Sequence, residues 1–212
     1  MSSDIRVESP LHYLHKLSSH SISGGTELFN ADAEFALVVK ERRDCSFLNL
    51  RGSSDDKMFR SAIASIVGVQ LPTEPGHYHN NADHSLYWLG PDAWLLSSNL
   101  DAADLEMQLR ADMTGHISIV DVSGGYTAIN LRGLEYAVHN VLKKSTVYDF
   151  VAWPDASASN GRCAQTNFAK TSALISNKLD GSYDVIIRRS FSDYVGQWLL
   201  DAGREFGCRI EA

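Results

Sequence analysis

Among the 212 residues there are only three cysteines and five prolines, and no apolar run approaches the roughly 18 residues that a membrane-crossing helix requires. Cys45, Cys163 and Cys208 are odd in number, widely spaced and free of any C-x-x-C pair. That pattern excludes a disulfide framework and a zinc knuckle, and it fits a reducing compartment. Positive charge is also short: 19 Lys and Arg stand against 26 Asp and Glu, for a net charge of −7. Without a positive field there is no basis for non-specific binding to nucleic acid or to an anionic membrane. The N-terminus lacks the basic, apolar and small-residue succession of a signal peptide. A cytoplasmic protein, with no nucleic acid and no membrane among its partners, is the expectation. Catalytic signatures are missing too, since neither G-x-x-x-x-G-K-[ST], G-x-G-x-x-G nor G-x-S-x-G occurs.

What is present is ordinary globular material, 44% hydrophobic and 21% charged, in a length that can bury a core without staples. Residues 1–33 carry serines, glycines and three histidines with no sustained period, which predicts an extended arm ordered only by a partner. From Phe35 short strands begin, at 35–39 and 45–50, the second ended by Arg51-Gly52. A helix is predicted from Asp56, with Phe59, Ala62, Ile63, Ile66 and Val67 on one face and Gly68 as its stop. Pro72, Pro75, Gly76 and two asparagines make 71–83 a loop. Ser85–Leu89 and Ala93–Ser97 around Gly90-Pro91-Asp92 read as a hairpin. The next helix starts at Asp101, buries Leu105, Leu109 and Met113, and ends at Gly115.

The pattern then repeats. Strands at 117–122 and 126–131 are joined by Ser123-Gly124-Gly125, read as a hairpin turn, and Arg132-Gly133 closes them as Arg51-Gly52 closed the first pair. Leu134, Ala137, Val138, Val141 and Leu142 reproduce the first helix's apolar spacing. A loop at 151–162 leads to strands at 163–169, 171–176 and 183–188. The final helix follows, its start marked by Ser190 and Asp193 as a capping-box-like pair. Two runs of β-β-α-β-β-α, the second with an added strand, indicate an internal duplication. The predicted fold is α+β, two similar lobes of largely antiparallel sheet with packed helices, at 34–115 and 116–212 after the arm at 1–33.

Each chemically capable side chain also has a structural explanation. His77, His79 and His84 could surround a metal, but they sit in a polar loop with no completing ligand pattern, and His12, His15 and His20 lie in the arm. Asp121, before a turn, could be a general base; the commoner role for such a residue is to accept the turn's amides. Trp88, Trp94 and Trp198 fall in periodic elements and read as core, whereas Trp153, beside Pro154, reads as an exposed anchor for a partner. Arg188 and Arg189 either snorkel over Phe191 and Tyr194 or meet a partner's anionic group. From the residues alone, no catalytic, cofactor-binding or metal site is assigned; Trp153, Arg188 and Arg189 are the candidate interface.

Three segments resemble the gamma subunit of heterotetrameric sarcosine oxidase. They are Leu86–Leu96 (LYWLGPDAWLL); Val120-Asp121-Val122-Ser123 with Leu131-Arg132-Gly133; and Arg189–Tyr194 (RSFSDY) with Trp198-Leu199 and Asp201-Ala202. Cys163-Ala164-Gln165-Thr166 is similar as well. The family is related to the glycine-cleavage T protein, so the resemblance implies an aminomethyltransferase-like fold. It implies a non-catalytic subunit without its own cofactor. Its partners would be a large folate-binding alpha, a flavin-binding beta and a small zinc-binding delta subunit, which together would hold FAD, FMN, NAD, tetrahydrofolate and zinc. The implied reaction of the complex oxidises sarcosine to glycine, with the one-carbon unit passed to tetrahydrofolate or released as formaldehyde. Two alternatives remain, the corresponding subunit of an N-methylglutamate dehydrogenase complex and a stand-alone folate-binding protein. Asn160-Gly161-Arg162-Cys163 is distantly similar to a lysine-glycine-cysteine segment of the latter group, with the lysine replaced.

Overall fold

The computed structural model describes residues 9–12, 35–43, 45–113 and 115–211. Among the described residues, eleven strands and four α-helices are arranged as β1 (Leu37–Arg42), β2 (Ser46–Arg51), α1 (Lys57–Ala62, prolonged by a π-turn at Ile63–Val67), β3 (His77–Asn80), β4 (His84–Gly90), β5 (Ala93–Ser98), α2 (Ala102–Asp112), β6 (Ser118–Asp121), β7 (Tyr126–Gly133), α3 (Glu135–Ser145), β8 (Asn160–Phe168), β9 (Thr171–Asn177), β10 (Tyr183–Arg188), α4 (Ser192–Gly203) and β11 (Cys208–Glu211). The expected helices form where their signals lie. Asp56 and Asp101 accept the first-turn amides of α1 and α2, each cap contributing about 1 kcal/mol, and Gly68 takes the left-handed conformation that stops the first.

The strands form one sheet in the order β11-β1-β7-β10-β9-β8-β3-β4-β5-β2-β6, antiparallel throughout except for β1 against β11. Its pairing repeats. β3-β4-β5-β2-β6 in one half corresponds to β8-β9-β10-β7-β1 in the other, with β11 added at the edge. The duplication is therefore real in topology, and it contains an exchange. β1 precedes β2 in sequence but pairs with β7, while β6 precedes β7 but pairs with β2. Strands on either side of the expected 115/116 boundary have thus traded halves.

This exchange corrects the hairpin expected at Ser123-Gly124-Gly125. β6 and β7 do not pair with each other, and the three residues form a 3-10 turn that carries the chain from one half to the other, neither glycine needing positive φ. Other differences are smaller. The loop expected at 71–83 contains β3, whose Tyr78 is buried while its neighbours are not, and the loop at 151–162 gives way to β8 at Asn160. Ser190 lies in a 3-10 turn, and the N-cap position of α4 is Phe191, with no side-chain cap. Most of the expected arm lies outside the described residues, His15 and His20 included. Residues 9–12, however, are docked: Leu11 is 2% exposed in the main core and Ser192 Oγ donates to the carbonyl of Pro10.

Burial shows how the halves are stacked. Leu48, Leu50, Leu86, Trp94 and Leu96 pack beneath α1 and α2, while Ile129, Leu131, Ile175, Val185 and Ile187 pack beneath α3 and α4. The alternate residues of the same strands form a third cluster, in which Phe47, Tyr87 and Leu95 of one half meet Ala128, Leu174 and Ile186 of the other. Phe47 and Tyr126, on strands far apart in the sheet order, have ring centroids 6.0 Å apart. The sheet therefore curls so that its halves face each other, helices outside. Both faces of the middle strands are covered, and β5 and β10 read as nearly continuous buried runs instead of clean alternations. At Gly133, φ is +141° and an added Cβ would lie 2.1 Å from the carbonyl oxygen of Ala36, so the end of β7 requires glycine.

Candidate functional site

The cleft between the half-sheets holds a buried charged cluster around Asp184. Along β10, Asp184, Ile186 and Arg188 point into it in succession, opposite their cross-strand partners Asn130, Ala128 and Tyr126 on β7. One pleat thus places a carboxylate at one end of the cleft, an apolar plug in the middle and a guanidinium at the other end.

At the first end Asp184 is 1% exposed and fully engaged. Arg42 donates to its Oδ2 at 2.8 Å, Lys178 Nζ lies 3.1 Å from the same oxygen, and Asn130 Nδ2 donates to Oδ1 at 2.8 Å. Lys178 also reaches the Tyr87 hydroxyl at 3.3 Å and sits 4.9 Å from the Tyr78 ring centroid. Burial alone would raise the Asp184 pKa, but Lys178 and Arg42, with the Asn130 amide, outweigh it and hold the carboxyl below 3.8. Burial would lower the Lys178 pKa; Tyr87, Asp184 and Tyr78 together raise it instead. Tyr78 itself is pushed up to about 12, chiefly by burial, and its hydroxyl donates to the Asn177 carbonyl at 2.6 Å. This cluster locks the two halves together. It contains none of the residues singled out in the sequence.

At the other end the cleft opens into a groove of 580 Å³. The Arg188 guanidinium stacks over Tyr126, 4.4 Å from its centroid, rather than over Phe191 or Tyr194. Arg189 lies instead along a smaller recess with Ser9, Pro10 and Glu41. Trp153 is half-buried, in edge contact with Phe150 at 4.7 Å, and borders an outer groove of 460 Å³ with Tyr183, Glu135, Asp155 and Asp180. Trp153 lies at the Tyr183 end of β10 and Arg188 at the other, roughly 17 Å apart at a strand's rise. The three expected interface residues do not form one patch.

The remaining candidates take structural roles. Asp121 Oδ1 accepts from the Ser123 amide at 2.8 Å and hydroxyl at 2.5 Å, the Asx-turn arrangement weighed against a general base. His77 and His79 contact the carbonyls of Pro75 and Gln70 through Nδ1, and His77 Nε2 lies 2.9 Å from Arg162. His84 is buried, which lowers its pKa. Among the described residues, no group of three or more His, Cys, Asp or Glu could hold a metal. Burial pushes the Cys163 and Cys208 thiols up to about 12 and raises Cys45 as well, the opposite of an activated nucleophile. Asn160-Gly161-Arg162-Cys163 begins β8 at the seam with β3, where a Cβ on Gly161 would lie 2.6 Å from the Tyr78 ring. That close approach accounts for its glycine.

Two curled half-sheets with helices outside define an aminomethyltransferase-like α+β protein. Glycine cleavage system aminomethyltransferase T from Bartonella henselae aligns with a TM-score of 0.62 at 11% identity, over 95% of this chain and 58% of that one, a likeness of fold alone. The family is narrower: residues 51–205 match the model for the sarcosine oxidase, gamma subunit family, and the chain belongs to that family. It is 27% identical over 210 residues to sarcosine oxidase subunit gamma of Corynebacterium sp. (strain U-96), covering 97% of both. Its identity to that of Arthrobacter sp. is 30% over 148 residues, covering 69% of this chain and 70% of the relative. A chain in the heterotetrameric sarcosine oxidase from Corynebacterium sp. U-96, in complex with pyrrole 2-carboxylate, aligns with a TM-score of 0.78 at 25% identity, over 94% and 96% of the two chains. No described helix is long and apolar enough to cross a membrane.

Proposed function

We propose that this chain is a non-catalytic, cytoplasmic subunit of a heterotetrameric sarcosine oxidase, holding no cofactor itself and docking on the large folate-binding subunit. The observation that carries the reading is the near full-length match, in sequence to a sarcosine oxidase subunit gamma and in fold to a chain of a heterotetrameric sarcosine oxidase. The chain's own chemistry supports it: Asp184 is committed to ion pairs, Asp121 to a turn, and the buried thiols are held protonated. In the assembled enzyme, flavin, NAD, folate and zinc belong to the other subunits. Sarcosine is oxidised to glycine and its methyl carbon leaves to tetrahydrofolate or as formaldehyde, with oxygen reduced to peroxide.

Trp153 is the best placed of the expected interface residues. The chain around it exposes Val147, Val151 and Leu179, apolar side chains that a partner can cover. The acidic groups beside it, Glu135, Asp155 and Asp180, favour a partner face with Lys or Arg at its rim. Co-expression with a large folate-binding chain, a flavin-binding chain and a small zinc-binding chain tests the assignment. The expected product is a stable yellow complex with sarcosine-dependent oxygen uptake. Chains that never copurify overturn it, and turnover of N-methylglutamate in place of sarcosine moves the subunit to that dehydrogenase.

A further inference from the structure

The groove at the open end of the cleft has the make-up of a small-molecule site. Its 580 Å³ falls within the usual range for such sites, roughly 300–1,000 Å³. Its floor is aliphatic, from Leu89 and Leu95 of one half and Leu174 and Ile186 of the other, and Phe191, 44% exposed, forms a wall. Gln165 donates to the Leu89 carbonyl at 2.9 Å and so ties the two sides together at a fixed width. Among the described residues, Arg188 alone of the groove's lining carries a charge and no carboxylate lines it, in a chain whose net charge is −7.

We propose that this groove binds a small amphipathic carboxylate, its anionic end on Arg188 and its apolar, planar body along the aliphatic floor against Phe191. Tyr126 lies against the guanidinium, its ring centroid 4.4 Å from the central carbon, and holds the group at the groove, where its N–H donors can grip a carboxylate with two parallel hydrogen bonds. A single guanidinium matches one negative charge, whereas a phosphate dianion calls for further cations that the groove does not offer. A cationic ligand finds no counter-charge among the described lining residues. The exposed hydroxyl of Ser172, on the same pleat of β9 as Leu174, supplies a further hydrogen bond for the polar end.

The test uses the full chain with 2-naphthoate and its neutral counterpart 2-naphthamide as probes, titrated by calorimetry and by amide shifts in NMR. Naphthoate is expected to bind about 10- to 100-fold more tightly than the amide, the usual worth of a charge-assisted contact, with shifts centred on Gly125, Ser172 and Arg188. Arg188→Met should remove that preference, Arg188→Lys should restore part of it, and Phe191→Ala should weaken both probes several-fold. Equal binding of the two probes, unchanged binding by Arg188→Met, or shifts centred elsewhere overturns the proposal. The probe comparison on the unaltered chain decides the matter even if a variant fails to fold.

Discussion

The two ends of the inter-sheet cleft are built from the same two strands and are opposites. At the Asp184 end every charge is answered: a carboxylate almost without solvent contact meets two cations and an amide. At the Arg188 end, four residues along the same pleat, a charge is left against an aromatic ring, with no carboxylate lining its groove among the described residues. A buried charge must be paired or the fold suffers, whereas an exposed one can be kept for a ligand. The closed end is therefore a structural lock, and the open end is where the molecule has chemistry to spare.

The largest expected effect is on the lock. Asp184→Ala leaves Arg42 and Lys178 facing each other without their carboxylate, and the loss should be about 3 to 5 kcal/mol in urea denaturation. A loss under about 1 kcal/mol would show that the cluster is solvated and that the two ends do not differ. Lys178→Met should cost less, on the order of 1 to 3 kcal/mol, since Asp184 keeps Arg42 and Asn130 and the methionine still packs on Tyr78. In a double-mutant cycle with Asp184→Asn the two effects should fall short of additive.

Acid sharpens the contrast. The Asp184 carboxyl is held below 3.8 in the folded chain, so the unfolded chain takes up the proton first. Its stabilisation is full above pH 3.8 and is lost as pH falls through the folded-state value. His84, lowered below 6.5 by burial, has the same sign: the unfolded chain protonates first and stability declines as pH drops below 6.5. In denaturation midpoints measured from pH 7 to 3, His84→Leu should flatten the upper part of the decline and Asp184→Asn the lower. An Asp184→Asn profile identical to wild type below pH 4 would contradict the lock.

How much of this could be read from the residues depends on the range of the interaction. Local signals sufficed for the helices: Asp56, Asp101 and Gly68 act on amides and dihedrals within a turn of themselves. The duplication was legible too, because Arg51-Gly52 and Arg132-Gly133 end equivalent strands before equivalent helices. The exchange of β1 and β6 was not, since adjacent strands joined by Ser123-Gly124-Gly125 look like a hairpin until one asks which distant strand each pairs with. β3 was hidden for a related reason. Its His-Tyr-His-Asn alternation is a strand signal, but the surrounding prolines and glycine carry the stronger signal for a loop. Asp184 and Lys178 are not legible as a cluster in the sequence, because each looks like an ordinary charge at a strand margin. Only the curl of the sheet, which brings β10 against Tyr87 and Tyr78, makes them a cluster. Arg188 was singled out, though the ring it covers is Tyr126, its cross-strand neighbour, and not a residue of the following helix.

The smallest expected effect is at the open end, and its smallness is the point. Arg188 makes one visible contact, with the Tyr126 ring, and an exposed cation–π pair is worth about 0.5 to 1 kcal/mol. Removing the side chain uncovers part of that ring but leaves no buried charge behind, because the guanidinium is already in reach of water. Arg188→Ala should therefore shift urea stability by no more than about 1 kcal/mol. A cost approaching that of Asp184→Ala would mean that Arg188 is a second lock, and the cleft would then be closed at both ends. A near-neutral variant would instead leave Arg188 as a residue whose charge the fold does not need, positioned by Tyr126 for something outside the chain.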